Sequence, residues 1–262
     1  MTQILAITNQ KGGVGKTTTC VNLAASLVRL GRRVLVIDLD PQGNATTGCG
    51  YDKHERAPNA CELLLGEAPL PECTYRVESG FDLVPSNGDL TLAEVRLMGL
   101  SRREYRLREV LAEAVSDYHH VLIDCPPSLN LLTVNALVAA DGVVIPMQCE
   151  YYALEGLTAL MGTIESIQRG PNPRLRIAGL LRTMFDPRNR LSGEVSDQLL
   201  GHFGERVFRT IVPRNVRLAE APSFGQPALL YDANSRGALA YLALAGEMLR
   251  RPGAAAAPAT GT

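Results

Sequence analysis

Five short apolar runs, Ile4–Thr8, Val34–Asp38, His120–Asp124, Gly142–Pro146 and Ile177–Leu181, stand out along the chain. Each is apolar at nearly every position rather than at alternate ones, which predicts strands buried on both faces. Between them, apolar residues recur at helical spacing. Thr17 to Leu30 carries Val21, Ala24, Ala25, Leu27 and Val28, and Gly31 is placed to stop it. Leu107, Leu111, Ala114 and Val115 mark a second helix, and Leu154, Leu157, Leu160, Met161, Ile164 and Ile167 a third. Buried strands alternating with helices predict crossover units: an α/β fold with a single doubly wound, mainly parallel sheet and helices on both faces. No internal repeat and no internal linker divides the chain. The run from Arg251 is rich in Ala, Pro and Gly, so the expected partition is one domain over 1–250 and a disordered tail over 251–262.

Composition narrows this little but excludes much. Apolar residues make up 46% and charged residues 20%, with 26 basic against 27 acidic side chains, which is no disordered chain. No apolar run has the roughly 18 residues of a spanning helix, and the first residues lack the basic start of an export signal. The six cysteines are scattered without a CxxC pair, which predicts reduced thiols in a cytoplasmic protein rather than a disulfide or zinc framework.

Chemistry concentrates in Gln10-Lys-Gly-Gly-Val-Gly-Lys-Thr-Thr18, set after a predicted strand and before a predicted helix. Gly12, Gly13 and Gly15 free the backbone so that successive amides, Val14 included, can turn toward phosphate oxygens at the helix N-terminus. Lys16 would reach the outer phosphates and the Thr17 hydroxyl a magnesium ion. The strict pattern fails at Gln10, where glycine is expected, and a second lysine, Lys11, enters the loop. Two acidic strand ends, Asp38-Leu-Asp40 and Asp124-Cys-Pro-Pro127, would crowd at the same sheet edge, where a carboxylate can hold the metal's waters or orient an attacking one.

At these residues the chain resembles the ParA/Soj family of partitioning ATPases, P-loop NTPases of the deviant Walker A class that also holds MinD. The likeness runs from Ile4 to about Leu249 through Asp40-Pro-Gln-Gly-Asn-Ala45, Ile123-Asp-Cys-Pro-Pro-Ser128, Gln148-Cys-Glu-Tyr-Tyr-Ala-Leu-Glu-Gly-Leu157, Val212-Pro-Arg-Asn-Val-Arg217 and Glu220-Ala-Pro-Ser223. The resemblance implies ATP and Mg2+ as cofactors, a homodimer that sandwiches ATP, and Lys11 reaching across to the partner's phosphates. It implies nucleotide contacts from Lys11 through Thr18, with Lys16 catalytic beside Lys11. It further implies that Asp40 serves hydrolysis, that Asp124 with Thr17 holds magnesium, with Asp38 a further contact through water, and that Pro213 and Asn215 meet the adenine.

The same resemblance implies nonspecific DNA binding by the ATP dimer, a nucleoid location, and a ParB/Spo0J-type centromere-binding partner that triggers hydrolysis. A net charge of −1 leaves DNA binding to a local patch. Arg182, Arg188, Arg190, Arg209, Arg214, Arg217 and Arg236 crowd the C-terminal part, and Arg188 and Arg217 fall at positions that relatives use for DNA. Tyr151 and Tyr152 read as packing near the dimer interface, and Cys125 as a small buried hydrophobe. The alternatives are a MinD-like membrane-surface ATPase, against which the Ala-rich end without a basic amphipathic face argues, and a regulatory ATP-binding scaffold acting on replication initiation.

Overall fold

The computed structural model describes residues 2–54 and 58–251. Eight strands, β1 (Gln3–Ile7), β2 (Val34–Asp38), β3 (Tyr75–Arg76), β4 (Asp82–Val84), β5 (His120–Asp124), β6 (Gly142–Gln148), β7 (Arg176–Phe185) and β8 (Val207–Pro213), form one sheet in the order β3-β4-β2-β5-β1-β6-β7-β8. Every neighbouring pair is parallel except β3 and β4. The helices are α1 (Lys16–Arg29), α2 (Asn44–Gly48), α3 (Ala60–Leu65), α4 (Leu90–Met98), α5 (Arg106–Ala114), α6 (Leu131–Ala139), α7 (Ala153–Arg169), α8 (Arg190–Phe203), α9 (Val216–Glu220), α10 (Ala228–Tyr231) and α11 (Arg236–Arg250).

The continuous apolar runs have the cause the pattern implied. Leu5 and Ile7 of β1, with Val34 and Val36 of β2 and Leu122 of β5, pack into a core shared with α1 and α11. The alternate residues Ala6, Leu35, Ile37, Val121 and Ile123 pack into the opposite core, under α3 to α8. Two-sided burial removes the polar positions an exposed face would carry. Strand order reverses at β1, with β5 on one flank and β6 on the other. In doubly wound sheets the carboxyl ends flanking such a reversal form the ligand crevice.

Gly31 adopts the positive φ of a helix stop, at 76°. Strand β7 runs on to Phe185 because Arg182, which reads as a polar break, is buried with its guanidinium donating to Ser196 Oγ and the Phe208 carbonyl. Arg251 closes the domain instead of opening a tail. Its guanidinium donates to the Val207 carbonyl, pairs with Glu247 at 2.8 Å and lies 4.2 Å from the centre of the Phe208 ring. The rest of the expected tail, 252–262, lies outside the described residues. Among the described residues no helix is long and apolar enough to cross a membrane.

Candidate nucleotide site

Chain leaving β1 loops over the sheet edge and enters α1 at Lys16. Gly13 and Gly15 take left-handed φ values of 73° and 88°, which a side chain would oppose. Gly15 is the cap of α1 and supplies no side-chain oxygen, so the positive end of the helix is left open. Neighbouring strands hold the loop in shape. The Asn9 side chain donates to the Pro146 carbonyl at 2.8 Å and accepts from the Lys11 amide at 3.0 Å. Thr183 of β7 donates to the Val14 carbonyl at 2.8 Å. Neither Asn9 nor Thr183 was visible from the motif, because the bonds that tie the loop to β6 and β7 join residues distant in sequence.

Below the loop three aspartates meet. Asp124, at the end of β5, is fully buried; one carboxylate oxygen accepts from the Thr17 hydroxyl at 2.7 Å and the other has no partner. Burial first, and then the Asp38 charge, pushes its carboxyl well above the ordinary range, with Lys16 opposing. Asp38 is also fully buried, but its oxygens are filled by the Thr46 amide and hydroxyl, at 2.9 and 2.8 Å, and by the Asp40 amide at 3.1 Å. Burial raises it to about 6. It holds the chain that follows β2 in place, whereas Asp124 keeps one oxygen without a partner. Asp40 caps the Gln42 amide, and its carbonyl receives the Ser86 hydroxyl at 2.7 Å.

Lys16 is 7% exposed, its ammonium donating to the Lys11 carbonyl at 3.1 Å, and burial lowers its pKa. An unpaired buried carboxylate oxygen beside a hydroxyl and a desolvated lysine is an incomplete charge system. A hard divalent cation and an anionic ligand would complete it, since hydroxyl and carboxylate oxygens are magnesium-type donors. The adjoining cleft, of about 770 Å³, is lined by Gly12, Gly13, Gly15, Lys16, Thr17, Thr18, Asp40, Pro213 and Asn215, so all but Lys11, Val14, Asp38 and Asp124 of the expected nucleotide and metal residues border one space. The Asn215 side-chain oxygen is buried without a donor.

Lys11 points elsewhere: its ammonium lies 2.6 Å from the Glu150 carboxylate in the turn between β6 and α7. Cys125 is buried and its thiol pushed well above the ordinary range by desolvation, as a small hydrophobe would be. The arginines divide. Arg182 is interior, Arg188 pairs with Asp186, Arg190 with Glu194, and Arg217 with Glu220 and Asp232. Arg209, Arg214 and Arg236 are exposed and form no side-chain ion pair within 4 Å among the described residues, though Arg214 lies close enough to Asp186 to help lower its pKa.

A family model described as an AAA domain matches residues 2–177. The chain is 52% identical over 252 residues to the chromosome partitioning protein ParA of Caulobacter vibrioides, covering 95% of this chain and 94% of that one. It is 48% identical over 249 residues to the sporulation initiation inhibitor protein Soj of Bacillus subtilis, covering 95% and 98%. Cobyrinic acid a,c-diamide synthase from Mycobacterium smegmatis, solved with ADP and magnesium and with an ATP analog and magnesium, shares the fold at a TM-score of 0.84 and 38% identity over 95% of each chain.

Proposed function

This chain belongs to the ParA/Soj family of chromosome-partitioning ATPases, and from that premise we propose that it is a nucleotide-timed switch that dimerises around ATP and holds DNA. It is an ATPase, and its cofactors are ATP and Mg2+. The observation that carries the site assignment is the buried Asp124 oxygen with no partner, next to the Thr17 hydroxyl and Lys16.

Thr17 and Asp124 would hold the magnesium, which when bound neutralises charge on the phosphates. The amides of Gly12 through Thr18, Val14 among them, cradle the phosphate oxygens, and Lys16, already stripped of water, sets its charge against them. Asp40, fixed through its backbone, orients the attacking water. Pro213 and Asn215 border the base. Lys11 acts in trans: a cation delivered by a facing protomer stabilises charge spreading onto the transferred group, as an arginine finger does. Its pairing with Glu150 in the lone protomer fits slow turnover before dimerisation.

The dimer then holds nucleoid DNA nonspecifically through arginines that include Arg188 and Arg217, and a ParB/Spo0J-type partner stimulates hydrolysis and release. Both arginines already have carboxylate partners, so phosphate must displace an exposed ion pair of small net value. That makes binding weak per protomer and steeply salt dependent once two protomers add their contacts. Co-sedimentation of the full chain with DNA under ATP, ADP and no nucleotide, across a salt series, tests the switch. Retention is expected only with ATP, falling by about an order of magnitude or more between low and moderate salt. Equal retention in all three nucleotide states would leave no switch.

A further inference from the structure

We propose that Tyr151 and Tyr152 form the aromatic anchor of the contact between two ATP-bound copies of this chain. This rests on the dimer proposed above and names the surface that closes it. The two side chains are 72% and 68% exposed, and their rings meet edge to face with centroids 5.1 Å apart. Neither hydroxyl makes a hydrogen bond among the described residues. Two adjacent rings held in water forgo the burial that makes tyrosine a dominant interface residue, and with two side-chain torsions each they cost little to immobilise.

Their position selects the occupant. They directly follow Glu150, whose carboxylate pairs with Lys11, so the rings stand next in the chain to the residue that holds the lysine of the proposed dimer. Gly12 and Gly13, which follow Lys11 in the loop, lie open: beyond its chain neighbours, a Cβ at either would meet no described atom within 4 Å. The patch carries one cation in Lys11 and one carboxylate in Glu150, with Glu155 exposed nearby. A surface bearing both signs is self-complementary under a two-fold axis, whereas a phosphate backbone would meet two carboxylates there. The occupant is therefore a second copy of this chain.

The test is sedimentation velocity of the full chain with ATP and Mg2+ over a protein concentration series, comparing wild type, Tyr151→Ala with Tyr152→Ala, and Tyr151→Phe with Tyr152→Phe. ATP affinity is measured on dilute protein. The double alanine variant is expected to weaken the ATP-dependent dimer about tenfold or more, with ATP affinity unchanged and thermal melting as in wild type. The double phenylalanine variant should stay within about threefold of wild type, because the rings rather than the hydroxyls do the packing. An alanine variant that dimerises as wild type does overturns the anchor, and so does one that dimerises normally but loses DNA retention, which would assign the rings to nucleic acid. A wild type that stays monomeric with ATP is a different failure, that of the dimer itself, and takes the anchor with it.

Discussion

Strand β5 begins and ends on a buried titratable group, and the two ends behave differently. At its amino end His120 is 6% exposed, its Nδ1 has no partner, and burial with the Arg32 charge lowers its pKa to about 4. At its carboxyl end Asp124 is fully buried, has one unpartnered oxygen, and is pushed the opposite way on the pKa scale. In both cases desolvation disfavours the charged form. What separates them is access. Asp124 bonds to Thr17, which with Lys16 lines the open cleft, while His120 is not among the residues that line that cleft. A buried orphan marks a binding site only where a ligand can reach it; elsewhere it is a cost to the fold.

Substitution at the cleft end should separate function from stability most sharply. Asp124→Asn keeps the size and the contact with Thr17 but removes the charge that would hold magnesium. ATP hydrolysis is expected to fall by about a hundredfold or more. Because the folded-state pKa of Asp124 lies above its unfolded value, its contribution to stability is present at low pH and lost as pH rises. At neutral pH the carboxyl group is therefore a burden on the ligand-free fold. The nucleotide-free variant should melt higher than wild type, by about 2–4 °C for each kcal/mol relieved. Calorimetry without nucleotide, paired with a phosphate-release assay, reads both effects. A variant that melts lower and still turns over would place Asp124 among ordinary structural carboxylates.

Sequence pattern carried the central part of this fold well. Val34–Asp38 and His120–Asp124 are strands at the predicted residues, because two-sided burial leaves an unbroken apolar run that turns bound sharply. Edge elements were less legible. Strand β8 exposes Arg209 on one side, and α11 mixes alanine with leucine so densely that its buried stripe is blurred. At the site, the loop and Asp124 could be read from glycine spacing and a strand-end carboxylate. The division of labour between Asp38 and Asp124 could not, since it depends on Thr46 filling one carboxylate and leaving the other short. Nor could the Lys11–Glu150 pair, which joins residues brought together only by the adjacency of β1 and β6.

The amino end of β5 predicts an effect on stability alone. His120 has a folded pKa of about 4 against an ordinary 6.5. As pH falls below the unfolded value the denatured chain gains a proton that the native chain refuses, so stability drops until the folded group itself titrates. The full difference corresponds to about 3 kcal/mol. Urea midpoints measured from about pH 7 down to pH 5 should fall less steeply for His120→Gln than for wild type. ATPase activity at neutral pH should stay within about twofold, since nothing of the cleft is touched. Equal acid sensitivity in the two proteins would mean that His120 charges freely in the native state and the contrast between the strand's ends is lost.

The smallest effect concerns Asn215, an orphan that lines the cleft itself. Its side-chain oxygen is buried without a donor and faces the start of α11, where a Cβ added at Gly237 would lie 3.1 Å from it. A side-chain amide offers a donor and an acceptor, and rotation by half a turn exchanges them. With its oxygen unpartnered, little holds the amide in one orientation, so it can serve the donor–acceptor edge of adenine or the reversed edge of guanine. Asn215→Ala is thus expected to weaken ATP and GTP binding alike, each by about fivefold, the value of one neutral hydrogen bond. The ratio between the two nucleotides should change by less than about threefold. A loss confined to ATP, measured by competitive titration against GTP, would show that the amide is pinned when nucleotide is bound. In that case Asn215 selects the base, and its resemblance to Asp124 as a ligand-directed orphan becomes closer than the free chain displays.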